Sequence, residues 1–188
     1  IYNSSLAMAD LGAKAEDVNK SLTAVAENFS NFGSISTTVA GQLTDAVTAL
    51  GQIGVGGQEA AITMDFFRTI GGQTEQQAIE MTNAFAMMGK ASGLGAGKMV
   101  REFAAASPKL AVYGTKAKQI FADIGAASAA SGASVSSLLD LAGKFDTFAG
   151  AAETAGKLNA ILGSQMSATE LLLMTEEQRI ETIIQQVQ

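Results

Sequence analysis

The sequence has no cysteine, no histidine and no tryptophan, and only one proline, Pro108, in 188 residues. Without cysteine there is no disulfide framework, no thiolate zinc site and no thiol nucleophile. Without histidine the chain lacks the commonest general base and the commonest metal ligand. Aromatic residues make up only 6%. Basic residues are also scarce: 12 Lys and Arg face 18 Asp and Glu, a net charge of −6. That balance argues against the clustered cationic surface on which nucleic-acid affinity depends. No apolar run reaches the ~18 residues of a membrane span, and no signal-peptide pattern opens the chain. The remaining carboxylates, hydroxyls and amides form no cluster at catalytic or metal-binding spacing. The expectation is a soluble, non-enzymatic chain with no catalytic, cofactor-binding or metal-ligating residue.

What is present is alanine, glycine and helical periodicity. The hydrophobic fraction is 47%, but alanine dominates it and buries little area, so the total overstates the driving force. Phe and Leu are spread thinly. The chain opens at Ile1 and closes at Gln188 within a helical pattern, so both ends are expected to be cuts.

Val18, Leu22, Val25, Phe29 and Phe32 form one helical stripe, with Gly33 as its expected C-terminal cap. Val39, Leu43, Val47, Leu50 and Ile53 form the next, running into Gly54, Gly56 and Gly57. A short helix carries Ile62, Phe66 and Ile70 before Gly71 and Gly72. Thr74 with Gln77 makes a capping box for a helix with Met81, Phe85 and Met88 on one face, closing at Gly89. Ser92 to Gly97 reads as a loop, and a helix through Met99, Val100 and Phe103 is expected to stop before Pro108, because proline restricts the residue preceding it. Another helix runs from about Thr115 through Ile120, Phe121 and Ile124; the small-residue stretch 125–132 either breaks it or lets it pack closely. No β-type alternation of useful length occurs. Apolar-Gly endings recur at Leu50–Gly51, Ile70–Gly71, Met88–Gly89 and Leu162–Gly163. These features predict an all-α chain: an array of short-to-medium helices with Gly-rich turns, in a helical bundle or coiled-coil-like assembly.

The array is expected over residues 1–133, with a long packing helix and capped C-terminal helices over 134–188. From Ser134 a three-four spacing runs through Leu138, Leu141, Phe145, Phe148, Ala152, Ala155, Asn159 and Leu162. That is a helix-packing seam. Gly143, Gly150 and Gly156 lie within it, each costing about 1 kcal/mol against alanine, so either close packing offsets the loss or the helix breaks at one of them. Asn159 either fixes register on this apolar seam or turns outward at a break. Ser167 with Glu170 and Thr175 with Gln178 make two further capping boxes, the second opening a helix faced by Ile180, Ile183, Ile184 and Val187.

Two Gly-rich stretches invite a phosphate-loop reading: Gly54-Val55-Gly56-Gly57 and Gly93-Leu94-Gly95-Ala96-Gly97-Lys98. The second has Met99 where a Ser or Thr belongs, and no strand precedes it. Interhelical turns explain both better. Glu176 and Glu177 beside Arg179 and Glu181 read as solvated charge that favours a helix dipole, not a carboxylate pair. Asp146 and Glu153, flanking the seam, read as surface. Met81, Met87, Met88, Met99, Met166 and Met174 read as adaptable core filler.

The stretch Phe145-Asp146-Thr147-Phe148-Ala149-Gly150-Ala151-Ala152-Glu153-Thr154-Ala155-Gly156-Lys157-Leu158-Asn159-Ala160-Ile161-Leu162-Gly163 resembles tail tape-measure proteins of contractile-tailed bacteriophages. Glu170-Leu171-Leu172 and Glu176-Glu177-Gln178-Arg179-Ile180 extend the resemblance, which covers about Leu138 to Ile184; upstream it is one of style only. The resemblance implies a long helical virion protein, held as several copies inside the tail tube, that sets tube length and leaves ahead of the DNA on genome ejection. It implies as partners the chain itself, the tail tube and the baseplate hub, and as location the tail lumen or baseplate. No catalytic residue carries over. Two other readings stand beside it: a helical signalling or secretion-associated coiled-coil module, and a helical domain attached to a cell-wall hydrolase. Unbroken heptads would mark the former, whereas glycine interrupts this chain about every twenty residues.

Overall fold

Side-chain caps start several of the helices. Ser36 Oγ accepts from Val39 N–H at 3.2 Å. Thr74 and Gln77 form the expected reciprocal box, with Gln77 N–H donating to Thr74 Oγ1 at 3.3 Å and Thr74 N–H to Gln77 Oε1 at 3.0 Å. These caps satisfy donors that a helix N-terminus leaves open. The computed structural model describes residues 12–131, 134–143, 152–153, 155–157, 159–160, 165–175, 178–179, 181–182 and 185. Among the described residues there are helices and turns but no strand, the expected all-α class. The helices are α1 (Ala15–Asn28), α2 (Thr37–Gln52), α3 (Gly57–Thr69), α4 (Glu75–Ala91), α5 (Ala96–Leu110), α6 (Ala117–Ser131), α7 (Val135–Gly143) and α8 (Ala168–Leu173).

Two compact units divide the chain, Ile1–Thr115 and Lys116–Gln188, whereas the sequence placed its divide at 133/134. Helix α6 packs on α7, which groups it with the residues that follow. In the first unit α1 and α5 both pack against α3, while α2 and α4 pack on each other; α3 touches all four of its neighbours. The result is a two-layer helical array with α3 at its centre.

The stripe Ile62, Phe66, Ile70 therefore describes α3 incompletely. Ala60, Ala61, Thr63, Met64, Phe66 and Phe67 are buried, so apolar contact surrounds much of the helix, and Ile70 lies at its exposed end. Nor are the large side chains dispersed. Phe66, Phe67, Phe85 and Phe103 converge from α3, α4 and α5, with Phe67 and Phe103 centroids 5.0 Å apart, Phe85 and Phe103 5.1 Å, and Phe66 edge-on to Phe103 at 5.1 Å. Full burial of one such ring contributes roughly 1.5–3 kcal/mol, and the cluster anchors a core otherwise made of small residues. The buried threonines need no outside partner: Thr44, Thr48, Thr63 and Thr82 each donate to the carbonyl four residues back, at 2.8–2.9 Å. Back-bonding of this kind lets polar positions enter a packed face.

Helix ends depart from the sequence reading in a consistent way. Gly33 does not cap α1; the left-handed residue is Asn31, at φ 61°, a conformation asparagine tolerates because its side chain bonds locally. Gly89 does not close α4, which runs on to Ala91. A Cβ at Gly89 would stand 2.4 Å from Met99 Cβ and 2.7 Å from the Gly95 carbonyl oxygen, so its role is close approach of α5. Pro108 does not stop α5 either; the helix continues to Leu110. The missing N–H is replaced by Ser107 Oγ, which donates to the Ala104 carbonyl at 2.8 Å and so removes part of the cost of proline near a helix end. The stretch after Gly125 leaves α6 unbroken as far as Ser131.

Both Gly-rich stretches are interhelical turns, alike in their first glycine but not in the N-cap, where Gly56 has φ −67° and Gly95 φ +89°. Gly54 (φ +85°) precedes Val55 and the N-cap Gly56 of α3; Gly93 (φ +78°) precedes Leu94 and the N-cap Gly95 of α5. Positive φ is the reason for glycine at 54 and 93.

Candidate assembly surfaces

The seam proposed from sequence lies in the second unit. Leu138 is buried on α7, Ala155 is buried, Ala152 is exposed and Asn159 is half-buried. Leu141 falls on α7, its side chain outside the described set. Phe145, Phe148 and Leu162 lie outside the described residues, as do Gly150, Asp146, Glu176, Glu177, Ile180, Ile183, Ile184 and Val187. The described positions from 152 to 160 are helical. Glu153 is exposed and pairs with Lys157.

Asn159 has a defined employment. Its Nδ2 donates to the Met166 carbonyl at 3.0 Å, and its Oδ1 accepts from Met166 N–H at 2.7 Å. The amide thus matches the donor and acceptor of one peptide unit and ties the helix to residues seven positions on. From there Ser167 Oγ accepts from Glu170 N–H at the start of α8. Both arms of the Thr175–Gln178 box are present, at 2.9 and 3.3 Å. Arg179 corrects the expectation of a solvated charge: it is 6% exposed. Its Nε donates to the Leu171 carbonyl at 2.8 Å and Nη2 to that of Leu172 at 3.4 Å. The guanidinium caps the C-terminal end of α8, where carbonyls lack helical partners and a positive charge is favoured.

In the first unit the most organised polar group is a clamp that sequence reading missed. Asp65 on α3 accepts from Ser30 N–H at 2.9 Å and from Ser30 Oγ at 2.7 Å. Arg68 Nη2 donates to the Ser30 carbonyl at 2.8 Å and to Asp65 at 3.1 Å, and its guanidinium lies 4.8 Å from the Phe29 ring centroid. The chain leaving α1 is thereby fixed to α3. Asp65 and Arg68 stand at i, i+3 on one helix; Ser30, a polar position between Phe29 and Phe32 of the first stripe, gave no periodic signal of its own.

An apolar groove of about 540 Å³ lies between α1 and α2, lined by Leu22, Ala26, Phe32, Ala40 and Gly41 with Glu27 at its side. The methionines divide by depth: Met99 is buried, Met81, Met88, Met166 and Met174 are half-buried, and Met87 is 56% exposed. Met87 is therefore not core filler; it lies on the face of α4 opposite Ile79, Thr82 and Phe85. Among the described residues no helix is long and apolar enough to cross a membrane, and no group of three or more acidic residues could hold a metal ion. The chain matches no protein-family model, no curated protein and no solved structure.

Proposed function

We propose that the chain is a segment of a tail tape-measure protein, a structural component of a contractile-tailed phage virion that lies in the tail tube or baseplate hub. In this reading it acts by packing helix against helix, without catalysis, and its partners are further copies of itself and the tube and hub proteins. It helps to set tail length and leaves the particle as the genome is ejected. The observation that carries the reading is the Phe145–Gly163 sequence with its Glu170–Leu172 and Glu176–Ile180 continuation. The helical state of the described residues between 152 and 160 suits it. So does the construction of the first unit, whose buried hydroxyls are satisfied inside their own helices.

An in-frame deletion of residues 134–162 in the encoding phage tests the proposal. Electron microscopy should show tails shortened by up to ~1.5 Å per deleted residue, the rise of a helix. Tails of unchanged length, or virions without the chain by mass spectrometry, would contradict it.

A further inference from the structure

Equivalent residues return along the chain at a near-constant interval. Helices α3, α5 and α7 begin at Gly57, Ala96 and Val135, each 39 residues after the last. The residues three and four positions on are buried in all three: Ala60 and Ala61, Met99 and Val100, Leu138 and Leu139. The helices that precede them share a second mark, three apolar residues at a four-three spacing and then glycine. It is Leu43, Val47, Leu50 and Gly51 in α2, Met81, Phe85, Met88 and Gly89 in α4, and Ala117, Phe121, Ile124 and Gly125 in α6. These apolar side chains are buried except Met81 and Met88, which are half-buried.

Polar details recur at the same interval. Ser36 and Thr74, 38 residues apart, each cap a helix by accepting from the N–H three residues on. Thr44 and Thr82, also 38 apart, each donate to the carbonyl of an alanine four residues back, Ala40 and Ala78. An ordinary amphipathic stripe repeats every three or four residues and selects neither 38 nor 39. The packing repeats as well: α1 packs on α2 and α3 as α3 packs on α4 and α5. Ser21 and Val25, buried on α1, stand 39 residues before Ala60 and Met64. Side-chain volume is kept as a set and not by position, since Ala60, Met64 and Phe67 correspond to Met99, Phe103 and Ala106. Volume-conserving exchange of this kind preserves a core while erasing identity.

We infer that the chain is a tandem array of one helical hairpin of 38–39 residues, with copies α2–α3, α4–α5 and α6–α7. In the first unit α1 and α3 are equivalent docking surfaces, each seating the hairpin that follows it. The partner such a surface fits is another copy of the same hairpin, so the array lengthens by whole hairpins. This modular build does not depend on the tape-measure role.

The test inserts a second copy of residues 55–93 after Gly93 in the full chain, so that each new junction still follows a glycine of the native turn. An insertion of residues 55–74 at the same place, which adds α3 without α4, is the reference. The full hairpin should leave the mean helicity per residue unchanged by circular dichroism and the urea midpoint undiminished. It should steepen the unfolding transition by about a fifth, because the slope follows the surface buried. The single-helix insertion should lower the midpoint without steepening the transition, because it puts the next helix in the wrong layer. Equal behaviour of the two variants would overturn the proposal. So would a full-hairpin insertion whose slope does not rise, since the added residues would then hang from the fold undocked.

Discussion

Asp65 serves three donors with one carboxylate: two from Ser30 and one from Arg68. The Asp65 and Arg68 side chains are largely buried, at 14% and 19% exposure, so removing the carboxylate leaves a cation without its counter-charge and returns the two donors of exposed Ser30 to water. Asp65→Ala should therefore cost about 2–4 kcal/mol, read as a lower urea midpoint with an unchanged slope. A loss below about 0.5 kcal/mol would show that the clamp is ornamental. Asn159 permits a similar argument. A leucine there cannot replace the two bonds to Met166, so Asn159→Leu should destabilise by about 1–3 kcal/mol. Had the residue served only to fix register on an apolar seam, the same change would raise stability. Thermal unfolding followed by circular dichroism separates the two signs.

Between helices, glycine serves two purposes that the sequence does not distinguish. A Cβ at Gly97 would lie 2.1 Å from the carbonyl oxygen of Gly54, a backbone atom that cannot step aside without moving the α2–α3 turn. Gly97→Ala should cost about 1–3 kcal/mol or more, as overpacking does. At Gly51, on the exposed last turn of α2, a Cβ meets nothing within 4 Å, and Gly51→Ala should stabilise by about 0.4–1 kcal/mol. Denaturant titration of both variants checks the pair; equal signs would refute the assignment. Helix stripes, caps and turns were legible because each is local: Thr74, Ser167 and Thr175 all cap where their spacing placed them. Helix ends were less so. Apolar-Gly pairs marked the approach of a turn, but the residues with positive φ lie further on, at Gly54, Gly72 and Gly93. The Phe cluster and the Asp65 clamp were not legible, because they join residues far apart in sequence and no periodicity records a crossing between helices.

For the molecule as a whole, the proposed role is one of helix packing. A Phe-centred array makes up the first unit, and the second contains the stretch in which the sequence places a seam with Phe145 and Phe148, residues outside the described set. The central claim is that such a chain works by associating with its own kind along that seam. Sedimentation equilibrium of the 188-residue chain, alone and as Phe148→Asp, tests it most directly. Burial of Phe148 in an association contributes about 1.5–3 kcal/mol, whereas a carboxylate there costs several kcal/mol. The account predicts a mass that is a multiple of 19.2 kDa for the unaltered chain and a return to monomer for Phe148→Asp with helicity retained. An unaltered chain that stays at 19.2 kDa even at high concentration would contradict it.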